Sequence, residues 1–191
     1  MRNVPVVLVG LAVAATAALA QSNAPAQHFT AFAVNMGSPW TGAGAATVEI
    51  AVDRWSSEAE TQRLLDVLTT RGPDHLLDAL QDAPKVGYIR VPGNLGYDLH
   101  FARRTPEPEG GERIVIATDR YIGFWEARNR PRTIDYPFTV IEMHIDRHGE
   151  GEGKLSLATK VTYNKKTNTI ELENYGTQPV QLRSVKRQPT R

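Results

Sequence analysis

The chain has 191 residues, with 22 Lys and Arg against 21 Asp and Glu, 41% hydrophobic residues and no cysteine. So much apolar side chain at a formal charge of +1 belongs to a folding chain, and the length suits one domain or two small ones. The lack of cysteine excludes a disulfide framework, a thiolate zinc cluster and a cysteine nucleophile, and near-neutrality leaves no electrostatic footprint for nucleic acid.

Residues 1–20, MRNVPVVLVGLAVAATAALA, combine Arg2, an apolar run from Val4 and the small-residue pattern Ala18-Leu19-Ala20. This reads as a secretory signal peptide. The run contains Pro5, Gly10 and Thr16 and is short for a membrane span. The expectation is therefore an exported protein, periplasmic or extracellular, with no transmembrane anchor after cleavage. Cleavage removes one basic residue and no acid, leaving 21 of each. Residues 21–27 read as a flexible lead-in, and a second small-residue site at Ala24-Pro25-Ala26 leaves the cut position open.

A single β-rich domain is expected over residues 28–186. HFTAFAVNM (28–36) reads as a strand, followed by the loop GSPWTGAGA. In TVEIAVDRW (47–55), Val48, Ile50 and Val52 alternate with neighbours of mixed polarity, the period of a half-buried strand. At Ser57 the period changes. Ser57 and Glu60 match a capping box, Leu64, Leu65, Val67 and Leu68 follow at helical spacing, and Gly72 and Pro73 punctuate the segment before Leu76, Leu77 and Leu80. A helical hairpin over about 57–83 is the reading.

Strand signals then run to the end: 86–91, 97–104, RIVIATD (113–119), YIGFWEA (121–127), FTVIEMHID (138–146), KLSLATKVTY (154–163), TIELENY (169–175) and VQLRSV (180–185). Turns are expected at HGEGEG (148–153) and NKKTN (164–168), and residues 187–191 form a basic tail. About ten strands without intervening helices imply antiparallel neighbours. The fold class is α+β, mainly antiparallel β, as a barrel-like or two-layer sheet with one inserted helical hairpin.

Glu142, His144, Asp146 and His148 fall at period two and are expected on one strand face, with Ile141, Met143 and Ile145 on the other. Carboxylate alternating with imidazole can hold a divalent metal or supply a general acid and base. His144 and His148 would stand about 13 Å apart, so one ion would take His144 and Asp146, with His100 or Asp98 from another strand. The plain alternative is a half-buried strand with a polar outer face. Arg128, Arg130 and Arg132, joined by Arg103 and Arg104, form a candidate anion patch, with a solvated loop balanced by Glu126 and Asp135 as its alternative. The glycine-rich HGEGEG carries acids that repel phosphate. No P-loop, dinucleotide fingerprint, H-E-x-x-H or G-x-S-x-G occurs, and catalytic residues stay unassigned. Trp40, Trp55, Tyr121, Phe124 and Trp125 suit either a ligand-lined barrel mouth or ordinary core packing.

The leading expectation is a non-catalytic binding or interaction module of the cell envelope whose partner is a small molecule or an envelope protein. A divalent-metal-binding protein or metal-dependent hydrolase built on the His144 and Asp146 strand is the second reading. The third is a lipocalin-like carrier of a small apolar ligand inside the barrel.

Overall fold

The computed structural model describes residues 7–10, 24–36, 44–108, 110–120, 122, 138–158, 160–164, 169–173 and 178–189. In chain order they form β1 (Val7–Gly10), β2 (Gln27–Asn35), β3 (Gly44–Val52), α1 (Glu58–Asp66), a π-helical turn (Val67–Arg71) and α2 (Asp74–Gln81). These are followed by β4 (Gly87–Arg90), β5 (Tyr97–Leu99), β6 (Phe101–Pro106), β7 (Glu112–Thr118), β8 (Phe138–Ile145), β9 (Glu150–Ala158), β10 (Lys160–Asn164), β11 (Thr169–Glu173) and β12 (Val180–Gln188). Nine strands make one antiparallel sheet in the order β5-β4-β3-β2-β12-β9-β8-β7-β6, and β1-β11-β10 make a second, smaller one. β1 lies within the segment read as a leader and pairs with β11 from Val7 opposite Leu172 to Gly10 opposite Thr169.

The two edges of the large sheet, β5 and β6, are consecutive in sequence, separated only by His100, so the sheet curls into a nearly closed barrel. The expected single strand 97–104 is thus two, because its two halves pair with different partners: Tyr97–Leu99 with β4, and Phe101–Pro106 with β7. Its alternation slips at the corner. Leu99 and Ala102 are both fully buried in the core, three residues apart. The gap beside β6 is bridged by Ser56, whose N–H donates to the Ala102 carbonyl at 2.9 Å and whose hydroxyl accepts the Ala102 N–H at 3.1 Å.

Inside, Phe29, Ile50, Trp55, Ile89, Leu99, Ile114, Ile116, Ile141, Met143, Ile145, Leu155 and Leu182 are essentially inaccessible and belong to one cluster. The alternation read in β3 holds here, since Val48, Ile50 and Val52 all point inward. Arg104 and Arg187 flank Glu112, with their guanidinium carbons 5.4 Å and 5.8 Å from the Trp55 and Phe29 ring centres. Trp55 Nε1 donates to the Pro25 carbonyl at 3.2 Å, which ties the expected lead-in to the barrel.

The helical hairpin follows its local chemistry. Ser57 caps α1, accepting the Glu60 N–H while the Glu60 carboxylate accepts the Ser57 N–H at 2.7 Å. Arg54 donates to both oxygens of Glu60, at 3.0 and 2.9 Å, and this chiefly holds the Glu60 carboxyl below its ordinary range. Gly72, at φ +90°, breaks the chain between the helices. Leu68, Leu76 and Leu80 then pack on Phe138, Val161 and the cross-strand row Phe101, Ala117, Val140. The hairpin thereby covers one end of the outer face of β6, β7 and β8.

Further expectations change. The basic tail expected at 187–191 begins later, because β12 runs through Gln188 and sets Arg187 opposite Phe29 and Gln188 opposite His28. The turn placed at 148–153 closes earlier, at Asp146–Gly149, because Gly149 takes φ +82° and the Asp146 carboxylate accepts the N–H groups of His148 and Glu150. Glu150–Gly153 are strand. Gly151 and Gly153 are there for close approach, since a Cβ would lie 1.9 Å from the His144 carbonyl oxygen or 2.4 Å from that of Glu142. The expected strand 154–163 divides after Ala158, β9 staying in the barrel and β10 joining the smaller sheet. Of the segment 121–127 only Ile122, which is buried, lies within the described residues.

Ser56→Ala leaves the buried Ala102 N–H without its acceptor and is expected to cost about 1–3 kcal/mol, read as a lower urea midpoint at unchanged slope. Ser57→Ala removes only the helix cap and should cost about 1 kcal/mol in the same measurement.

Candidate functional site

Cross-strand register sorts the outer face of the barrel into rows. Beyond the helix-covered row, the next runs Arg103, Val115, Glu142, Lys154, Gln181, and the one after it Thr105, Arg113, His144, Glu152. The expected site strand thus lies at the centre of a charged face.

Glu142 points outward with its side chain only 7% exposed, an uncommon place for a carboxylate. Arg113 Nε donates to its Oε1 at 2.6 Å, Lys154 Nζ stands 2.8 Å from Oε2, and His144 Nε2 is 3.6 Å from Oε1. Burial alone would push this carboxyl up. The hydrogen bond from Lys154 and the charges of Arg113 and Lys154 outweigh it and hold Glu142 below its ordinary range. The other ring nitrogen of His144, Nδ1, lies 2.8 Å from Glu107 Oε1, so the imidazole bridges two carboxylates.

The shared face expected for Glu142, His144, Asp146 and His148 is not formed. β8 ends at Ile145, and the early turn takes Asp146 and His148 off the strand. Asp146 spends its Oδ1 on the His148 and Glu150 N–H groups, at 2.8 and 2.9 Å. The Glu150 bond is the main reason its carboxyl sits below the ordinary aspartate range.

His100 is elsewhere. At the β5–β6 corner its Nδ1 is 2.9 Å from the Ala83 carbonyl and its Nε2 3.4 Å from Asp119. Its N–H bonds to Ala117, whereas His144 lies opposite Arg113, four residues along β7. That spacing is about 13 Å, too far for His100 and His144 to share one ion. Asp98, the other suggested ligand, pairs with Lys85 at 2.7 Å. Among the described residues no three His, Asp or Glu side chains stand together as a ligand set.

Arg128, Arg130 and Arg132 lie outside the described residues, as do Trp40, Tyr121, Phe124 and Trp125. Arg103 and Arg104 are adjacent on β6 and so face opposite ways. Arg103 bonds Glu58 of α1 outside at 3.2 Å, and Arg104 lies over Trp55 inside. They do not form one patch.

An open depression of about 740 Å³ adjoins His144, lined by Glu107, Asp146, His148, Glu150 and Glu152 among others. Four of these are acids. Sequence reasoning found His144 and Glu142 but missed Arg113, Lys154, Glu107 and Glu152. Their involvement depends on strand register and on the position of the β8–β9 turn, which no local motif marks.

No protein-family model, curated protein or solved structure matches this chain.

Glu142→Ala leaves Arg113 and Lys154 facing each other without their carboxylate and should destabilise the fold by about 2–4 kcal/mol, whereas the half-exposed His144→Ala should cost under about 1. Because the Glu142 carboxyl is lowered in the folded protein, its contribution is complete above the ordinary glutamate range and disappears as acidification protonates the folded carboxylate. Stability read from urea midpoints at successive pH values should therefore fall more steeply on acidification in wild type than in Glu142→Gln, which lacks this contribution throughout.

Proposed function

We propose that the protein is an exported, non-catalytic binding or interaction module of the cell envelope. The observation that carries this reading is that three of the side chains singled out for acid–base or metal work are engaged within the fold. Glu142 is held by Arg113 and Lys154, Asp146 caps a turn, and His100 is wedged between Ala83 and Asp119. The barrel interior is occupied by its own apolar side chains, so contact with a partner falls to the outside. That packing is also what weighs against a carrier of a small apolar ligand. Export rests on the leader composition of residues 1–20. No helix among the described residues is long and apolar enough to cross a membrane.

Amino-terminal sequencing of the protein recovered from envelope and culture fractions is expected to begin at or shortly after Gln21; recovery from the cytoplasm with Met1 intact would overturn export. The purified protein should turn over none of a broad panel of ester, peptide, glycoside and phosphate substrates. Calorimetric titration with zinc, copper and nickel should show no micromolar binding. A metal response abolished by His144→Ala would replace this reading with the metal-binding one.

A further inference from the structure

The outer face of β9, β12 and β2 carries a feature that barrel closure does not require. Between Leu182, opposite Gly153, and Val185, opposite Gly151, two residues of β12, Arg183 and Ser184, face the single residue Glu152. The same insertion shows against β2, between Arg183 opposite Phe32 and Lys186 opposite Thr30. This is a β-bulge, and Ser184 at its centre takes φ +50°, the only positive φ among the described non-glycine residues. The bulge breaks the alternation of β12, so that Arg183 and Ser184 are both exposed, and it opens a shallow hollow that Glu152 and Gln181 also line.

Arg183 and Glu152 line this hollow together, yet neither pairs with the other or with any other described residue. Opposite charges placed across neighbouring strands ordinarily attract. Here no ion pair joins them across the bulge. On the far side of Arg183, Phe32 is 46% exposed and Met36, further along β2, is 64% exposed. These are two of only three large apolar side chains so exposed among the described residues. The row therefore reads acid, base, aromatic from β9 to β2.

We propose that this face is a two-fold interface between two copies of the chain. A two-fold contact sets one patch against itself, so it needs both halves of every complementary pair on the same surface. A base and an acid that pair with no described residue, next to exposed aromatic and thioether side chains, meet that need. A rotation axis beside the bulge brings Arg183 of each copy against Glu152 of the other, makes the ion pair twice, and removes Phe32 and Met36 from water. The overall charge of +1 opposes self-association only weakly. The face spans four nine-residue strands, β3, β2, β12 and β9. By strand geometry it measures about 30 Å by 19 Å. That is somewhat smaller than the roughly 800 Å² each partner gives a standard interface, so the dimer should be a reversible one. The proposal stands apart from the binding-module reading and can fail without it.

Sedimentation velocity of the protein as recovered from the cell, over a range of concentrations, tests it, with circular dichroism to confirm that each variant stays folded. Wild type is expected to pass from monomer to dimer. Arg183→Glu and Glu152→Arg should each weaken the dimer at least tenfold, the double charge swap should restore it, and an equimolar mixture of the two single variants should form a heterodimer although neither dimerises alone. A wild-type chain that stays monomeric to the highest soluble concentration would overturn the proposal. So would single variants that dimerise as well as wild type, or a charge swap that fails to restore the dimer.

Discussion

The architecture depends on one segment belonging to both edges of the same sheet. Residues 97–99 complete β4 and residues 101–106 complete β7, so the chain turns the barrel corner at His100 without leaving the sheet. Several contacts gather at that point. Val86 donates to the Leu99 carbonyl at 2.8 Å, Thr118 Oγ1 to the Asp98 carbonyl at 2.7 Å, and the N–H of Ser56 to the Ala102 carbonyl. The His100 ring reaches from the corner to Ala83 at the end of the helical hairpin and to Asp119 at the end of β7. An open sheet of nine strands would leave two long unpaired edges, a standing hazard for aggregation, and this corner removes most of that exposure.

Closure also decides where chemistry can occur. The inward face is committed to one apolar cluster, with Arg104, Glu112 and Arg187 gathered against Trp55 and Phe29, and the charged rows of the outer face are sorted by register. The helical hairpin, inserted between β3 and β4, folds back over the row Phe101, Ala117, Val140 and leaves the neighbouring rows uncovered. Glu142 lies where the covered zone meets the open one. It is buried by its neighbours, and its two cationic partners come from strands on either side of β8. A buried charge of this kind is tolerable only when partnered, and the ion pairs to Arg113 and Lys154 make Glu142 a fixture of the sheet.

The sequence was most informative where structure is decided by neighbours along the chain. The Ser57 and Glu60 capping box, the break at Gly72 and Pro73, and the inward set Val48, Ile50 and Val52 are all local, and all are present in the fold. The errors share a different origin. HGEGEG looks like a turn because glycine and acidic residues favour turns, yet two of its glycines serve the tight approach of β9 to β8. Placing the turn at Asp146–Gly149 sets Lys154 opposite Glu142 and Glu152 opposite His144. A shift of register would have given each a different partner. The Arg113 contact joins residues 29 positions apart, and nothing near either one in sequence announces it. The split at His100 was hidden because both halves have strand composition and only the choice of partner strand separates them.

A formal charge of +1 therefore conceals an uneven distribution. In the row of Glu142, opposite charges meet and are satisfied within the sheet. In the neighbouring row, two residues of the bulge, Arg183 and Ser184, face the single residue Glu152, and no ion pair joins Arg183 to Glu152. Ser184 at the centre of the bulge takes the left-handed region that L side chains rarely adopt. Across the bulge, Arg183 and Glu152, which pair with no described residue, lie in one row with the exposed Phe32, so charge and apolar surface meet there on the outside of the barrel.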